Sequence, residues 1–264
     1  MSDQTVLYDI ADGVATLTLN RPQAMNSLDL ATKTALLDAV TTAAEDASVR
    51  CVVLTGAGRA FSVGQDLKEH VQILQDGPPE ALFRTVPEHY NPIVTAIATM
   101  PKPVIAAVNG VAAGAGASLA FACDLRVLGH GGGFNLAFSG IGLSCDSGSS
   151  WTLPRLVGRA KALELLYFPR TVSSEEALDL GLATKVVPAD ALMDEVHQMA
   201  RLLAAGPTAA YGAIRRSVNH SAGHDLESSL QFEAEMMALT GATRDHRNAV
   251  EAFLAKEKPV FEGR

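Results

Sequence analysis

The chain is poor in cysteine, in basic charge and in uninterrupted apolar sequence, and each shortage removes a class of function. Only Cys51, Cys123 and Cys145 occur among 264 residues. Three is an odd number, with neither C-x-x-C nor zinc-ribbon spacing, so no disulfide framework and no metal site is expected. A reducing cytoplasm is the expected location. Lys and Arg number 21 against 29 Asp and Glu, a formal charge of −8. That balance opposes a broad phosphate-binding face and argues against nucleic acid as a partner. One charge-free stretch, Pro103 to Cys123, approaches the length of a membrane span, but Asn109-Gly110, Gly114 and Gly116 interrupt it. A buried strand, turn and helix is expected there, with no membrane partner. The opening MSDQTVLYDIADG carries acids and no basic flank, unlike an export signal.

Phosphate-binding motifs are also missing. Gly56-Ala57-Gly58 and Gly114-Ala115-Gly116 complete neither G-x-G-x-x-G nor a Walker sequence, which argues against nucleotide-dependent redox or kinase chemistry. His220 and His224 are four apart, but no Glu adjoins them and Gly223 weakens a helix there. They read as a surface pair, not a zinc site.

What is present fits a folded α/β protein. Hydrophobic residues make up 48% and charged residues 19%, enough apolar mass for a sizeable core. Thr5 to Ile10 and Val14 to Asn20 alternate around Asp12-Gly13, a hairpin signature. Leu30, Ala31, Leu36, Leu37, Val40 and Ala44 recur at helical spacing behind Asp29, a capping residue. Cys51 to Thr55, Val104 to Val108, Leu125 to Leu128 and Lys185 to Val187 read as buried strands. Helical patterns at Pro79 to Thr99, Gly114 to Ala122 and Ser149 to Phe168 alternate with them. After Pro188 only helices are expected, near Asp190 to Ala204, Pro207 to Val218, Leu226 to Leu239 and Thr243 to Lys256.

Four constellations are candidates for chemistry. In GVAAGAGASLAFACD, small residues let a turn approach a ligand while the following helix presents free N–H groups, an oxyanion site; the same glycines also suit close helix packing. GRAFSVGQDLK is a second small-residue turn after a strand, able to add another N–H donor. Gly116-Ala117-Ser118-Leu119-Ala120 resembles a nucleophile elbow with Ala in place of its last Gly, which makes a serine hydrolase a rival reading. Asp146, in GIGLSCDSGSSW, suits either a helix N-cap or a carboxylate whose pKa is raised by Ile141, Leu143 and Trp151.

LTLNRPQAMNSL, VVLTGAGRAFSVGQDL, PKPVIAAVNGVAAGAGASLAFACDLRV, PRLVGRAKALELL and FLAKEKPVF occur in an order that resembles the enoyl-CoA hydratase/isomerase, or crotonase, superfamily over essentially the whole chain. The resemblance implies an α/β fold, a crotonase-like spiral of repeated ββα units. Residues 1–200 would form the acyl-CoA-binding core and 201–264 a C-terminal helical region for trimerisation, giving a homotrimer or a dimer of trimers. Coenzyme A would enter as part of the acyl-CoA substrate, with no prosthetic group. By motif matching, the Ser62 and Ala115 N–H groups are the oxyanion donors. Ala60, Gly64, Gln65, Asp66 and Leu67 match the loop around the CoA adenine, and Lys256 or Lys258 would reach the CoA phosphates, across a subunit boundary.

The departures from the hydratase pattern narrow the activity. Where hydratases of this family carry two glutamates, Ser118 and Phe138 stand here. Asp146 instead matches the catalytic aspartate of dienoyl-CoA isomerases and of the isomerases that convert ring 1,2-epoxyphenylacetyl-CoA, the nearest likeness. Ser144, Cys145, Ser149 and Ser150 depart from the small or apolar residues that group prefers. The implied reaction is double-bond migration, with Asp146 shuttling the proton and the N–H pair holding the enolate oxygen. Asn91, Ser118, Phe138, Leu143 and Trp151 are expected at the substrate pocket. The alternatives are an enoyl-CoA hydratase, an aryl-CoA dehalogenase, whose expected Trp and His are replaced by Phe138 and Asn91, a serine-type acyl-CoA hydrolase acting through Ser118, and a noncatalytic acyl-CoA binder.

Overall fold

Alternating side chains and a turn that tolerates positive φ start the fold. In the computed structural model, which describes residues 4–264, β1 (Val6–Ala11) and β2 (Val14–Leu19) pair antiparallel, Val6 opposite Leu19. Asp12 and Gly13 between them have φ of 53° and 75°, the backbone of a tight two-residue hairpin. Helix α1 (Leu30–Glu45) follows, and the Asp29 carboxylate accepts the Thr32 N–H at 2.9 Å, as expected of an N-cap.

The chain then repeats one stroke. A strand enters a large sheet, a three-residue strand enters a small one, and helix follows. The strokes are β3 (Cys51–Gly56), β4 (Ala60–Ser62), α2 (Leu67–Asp76), α3 (Pro79–Phe83) and α4 (Asn91–Thr99); then β5 (Val104–Val108), β6 (Val111–Ala113) and α5 (Ala115–Ala122); then β7 (Leu125–Gly129), β8 (Gly133–Asn135), α6 (Ser149–Val157) and α7 (Arg159–Tyr167). After β9 (Thr171–Ser173) and α8 (Ser174–Asp179), β10 (Lys185–Val187) closes the edge. The large sheet runs β1-β2-β3-β5-β7-β10 and the small one β4-β6-β8-β9. This is the expected ββα spiral.

Strands β3 and β5 are buried along their whole length, because helices cover both faces. On one face Leu17, Leu54, Ala106 and Leu128 join Leu36, Ile93 and Leu119. On the other, Val53, Ile105 and Val127 meet Leu192, Val196, Ala200 and Ala204 of α9 (Leu192–Ala204). Each such Val, Leu or Ile side chain contributes roughly 1.5–3 kcal/mol by leaving water. The 200/201 division falls inside α9, a core helix, so the core runs through Ala204.

Helices α10 (Thr208–Ser221), α11 (Leu226–Gly241) and α12 (Arg244–Ala255) complete the chain. Arg215 fastens α10 to the core, donating to Asp124 at 2.6 Å and to the Met100 carbonyl at 2.8 Å. Beyond it the apolar side chains are left uncovered: Leu226, Met237, Phe253 and Leu254 are all at least 70% exposed. No helix among the described residues is long and apolar enough to cross a membrane.

Candidate active site

Two backbone turns meet at the ends of the short strands. After β6, Gly114 has φ 50° and ψ −125°, a backbone that excludes a side chain, and α5 begins at Ala115. As the first helical residue, Ala115 has no acceptor for its N–H within the helix. After β4, the second turn presses against the first. A Cβ on Gly64 would stand 3.1 Å from the Ala115 nitrogen, and one on Gly116 would stand 2.3 Å from the Ser62 carbonyl oxygen. Glycine at both places allows this approach.

The hydrogen bonds of the second turn identify its free donor. Val63 N–H goes to the Met25 carbonyl, Gly64 N–H to Ser62 Oγ and Asp66 N–H to the Leu28 carbonyl, while Leu28 N–H returns to the Gly64 carbonyl. Leu28 thus bridges across Gln65, and the Gln65 N–H is left without an acceptor among the described residues. It lies one residue from Gly64, against Ala115. The free N–H at this turn is therefore that of Gln65, where motif matching pointed to Ser62. Ser62 is fully buried within β4, registered against Ala112, and its Oγ donates to the Asn26 carbonyl, whereas Gln65 and Ala115 both line a cavity.

That cavity holds about 160 Å³ and is mainly apolar, with Val63, Leu82, Val86, Phe138, Ile141 and Leu143 in its wall. Among the described residues its only carboxylate is Asp146. The residue does not cap α6 through its side chain. Gly148, with φ 79°, occupies the cap, and Asp146 contributes its backbone carbonyl, which accepts the Ser149 N–H at 3.0 Å. The carboxylate is held by a single hydrogen bond, from Ser147 Oγ at 2.9 Å. Burial raises its pKa above the ordinary carboxylate value, and the Ser147 bond only partly opposes this. Of the two roles open to Asp146 in the sequence, the geometry supports the desolvated base.

Tyr90 and His70 also line the cavity, and nothing in the sequence marks either. A π-helical turn at Val86–Tyr90 shifts the helical phase ahead of α4, so the cavity receives Tyr90 and not its neighbour Asn91, which is exposed at the start of α4. The Tyr90 hydroxyl donates to Gln65 Oε1 at 2.6 Å, Lys33 Nζ donates to the same oxygen at 3.3 Å, and Gln65 Nε2 donates to Glu69. Burial, with the negative charges of Asp146, Glu69 and Asp66, holds the Tyr90 phenol well above its ordinary range. It remains neutral.

The remaining predicted residues separate. Phe138 and Leu143 do line the cavity, and both also face a second one of about 560 Å³. Ser118 is fully buried, with its Oγ 3.1 Å from the Gly114 carbonyl and 2.6 Å from Ser149 Oγ. Neither imidazole nor carboxylate contacts it, so it lacks the partners of a nucleophile. Trp151 is half exposed, stacked with Arg155 at 4.3 Å in the wall of another cavity. Ala60 is buried in β4, its carbonyl accepting from Asn26 and Asn109. Asp66 caps α2 and bonds Arg21 and Ser27; burial raises its pKa, but these bonds and the helix N–H groups outweigh that and bring it to about 2. Leu67 is 57% exposed at the cavity mouth. Lys256 and Lys258, at the end of α12, are exposed and make no side-chain hydrogen bond or ion pair among the described residues. All three cysteines are free, and no cluster of three or more metal-ligating groups occurs among the described residues.

A spiral of ββα strokes, with two backbone turns and one buried carboxylate at a shared cavity, defines the crotonase class of α/β enzymes. The enoyl-CoA hydratase/isomerase family model matches residues 9–264, and the chain belongs to that family. It is 41% identical over 259 residues to 1,2-epoxyphenylacetyl-CoA isomerase of Escherichia coli, covering 98% of both chains. It is also 41% identical over 266 residues to a probable enoyl-CoA hydratase of Rhodobacter capsulatus, covering 100% of both. An enoyl-CoA hydratase/isomerase structure from Mycobacterium abscessus superposes with a TM-score of 0.94 at 43% identity, over 98% of this chain and 100% of that one. Family members act on acyl-CoA thioesters, and this protein is an acyl-CoA enzyme.

Proposed function

We propose that the protein is an acyl-CoA double-bond isomerase in which Asp146 is the proton shuttle and the N–H groups of Gln65 and Ala115 form the oxyanion hole. The observation that carries this reading is that the cavity presents one carboxylate, desolvated and free of the helix cap, beside two N–H groups without acceptors. With a 3-enoyl-CoA, Asp146 takes a proton from C2 and the thioester oxygen acquires the charge of a dienolate. The two N–H groups stabilise that charge as it develops. Asp146 then returns the proton to C4, leaving the conjugated 2-enoyl-CoA. Atoms balance without water and without a prosthetic group.

Hydration by the two-glutamate route is disfavoured, because Ser118 and Phe138 stand at the matching positions and Asp146 is the only acid on the cavity wall among the described residues. The aromatic wall of Phe83, Tyr90 and Phe138 suits a ring-bearing acyl group, in keeping with the ring 1,2-epoxyphenylacetyl-CoA named for the Escherichia coli relative.

The test is incubation of the protein and of Asp146→Asn with a 3-enoyl-CoA, and separately with the ring epoxide thioester, in deuterated water. Bond position and deuterium content are followed by NMR and mass spectrometry. The expected result is isomerisation with solvent deuterium retained in part, no net hydration, and a loss of about 10³-fold in Asp146→Asn, within the range for a removed general base. Net hydration, or an Asp146→Asn variant as active as the wild type, overturns the proposal.

A further inference from the structure

Ser118 and Ser149, neither of which reaches the cavity wall, form a buried hydrogen-bonded chain that ends on the oxyanion peptide. Both side chains are fully buried and their hydroxyls are 2.6 Å apart. Ser118 Oγ is also 3.1 Å from the Gly114 carbonyl oxygen. A hydroxyl carries one proton. If Ser118 donates its proton to Gly114, the 2.6 Å contact requires Ser149 to donate to Ser118. The direction is then fixed: Ser149 to Ser118 to the Gly114 carbonyl.

The Gly114 carbonyl and the Ala115 N–H are opposite ends of one planar, conjugated peptide. That oxygen accepts from the Ser118 N–H at 3.1 Å as well as from Ser118 Oγ. Donors at a peptide oxygen draw electron density from its nitrogen, and hydrogen bonds in a chain strengthen one another at low dielectric. The Ala115 N–H becomes a stronger donor and its direction is fixed. Ser149 also donates its own N–H to the Asp146 carbonyl, so the same serine ties the loop of the base to the peptide of the oxyanion hole.

We infer that Ser118 and Ser149 are positioning residues which polarise the Gly114–Ala115 peptide and hold it in register with Asp146. This inference rests on the oxyanion role proposed above for Ala115. The two can fail separately.

The test uses the full chain with a saturated phenylacetyl-CoA carrying ¹³C at the thioester carbonyl, read by isotope-edited infrared difference spectroscopy, together with turnover of a 3-enoyl-CoA. In the wild type the bound carbonyl band moves to lower frequency than in solution. In Ser118→Ala that displacement shrinks and kcat falls about tenfold, a fraction of the loss for deleting an oxyanion donor outright, while KM stays within about threefold, on the view that a transition-state interaction was removed. Ser118→Thr, which keeps a hydroxyl, recovers most of both. Ser149→Ala, which leaves α5 intact, gives an intermediate displacement. A wild-type displacement retained in full by folded Ser118→Ala, or by Ser149→Ala if Ser118→Ala does not fold, overturns the inference and leaves the oxyanion reading standing. Absence of any displacement in the wild type removes the oxyanion reading, and the inference with it.

Discussion

Asp146 shows how one environment sets both reactivity and a cost to the fold. Its carboxyl has a pKa above that of the unfolded chain, so its contribution to stability is complete below the ordinary value near about 3.9 and is lost as pH rises through the raised one. Asparagine stays neutral throughout, so Asp146→Asn is expected to be inactive yet at least as heat-stable as the wild type at pH 7, by calorimetry. The proposed proton shuttle requires the carboxylate, so the rising limb of activity against pH is expected above the ordinary carboxylate range. Ser147→Gly removes the one hydrogen bond that holds this pKa down while suiting φ of 51°; it is expected to move that limb to higher pH in a kcat/KM profile. Gln65 offers the matching test of the oxyanion hole. Its N–H has no acceptor among the described residues, so Gln65→Pro should remove the proposed donor and cost about 10²–10³-fold in kcat relative to Gln65→Ala, which keeps it. Circular dichroism should show both variants folded.

Among elements, the contact between the start of α5 and the end of β4 sets the site. Gly116 permits it, since a Cβ there would meet the Ser62 carbonyl oxygen at 2.3 Å. Gly116→Ala must push the helix from the strand, as overpacking does at a cost of roughly 1–3 kcal/mol, measurable by urea unfolding. Activity should fall further than stability, because Ala115 moves with the helix. The elements also differ in how legible they were. The large sheet was readable because runs such as Val104 to Val108 are apolar, β-branched and bounded by turn residues. The four strands of the small sheet, Ala60–Ser62, Val111–Ala113, Gly133–Asn135 and Thr171–Ser173, were not, because three residues carry no period and these lack the paired valines that mark Lys185–Val187. Those short strands bring the two turns together.

For the whole molecule, the apolar residues left open on α11 and α12 lead to the prediction that the chain assembles. Single exposed apolar residues are ordinary, but Leu226, Leu230 and Met237 on one helix with Phe253 and Leu254 on the next exceed that. Light scattering is expected to give a multiple of the chain mass, three or six by family resemblance. Phe253→Asp combined with Leu254→Asp should lower it. Lys256 and Lys258 directly follow this surface and make no side-chain hydrogen bond or ion pair among the described residues, so the double variant should also raise KM for acyl-CoA if a neighbour's lysine holds the phosphates.

The sequence by itself determined the family, the alternation of strand and helix and the small-residue turn around Ala115, and it singled out Asp146 as a candidate, because these lie in contiguous motifs whose local backbone needs glycine or small residues. Tertiary structure alone decided which donor faces the cavity, since the choice between Ser62 and Gln65 depends on where Leu28, distant in sequence, lays its hydrogen bonds. It also decided that Tyr90 and not Asn91 enters the cavity, through a π-helical turn of one extra residue, and that Trp151 leaves it for Arg155. Ser118 follows the same rule. A serine at a helix start reads as a nucleophile or as packing until its partner is known, and that partner, Ser149, lies 31 residues on. Motifs record what the local backbone requires; the direction of a hydrogen bond between distant segments is fixed only when the chain has packed.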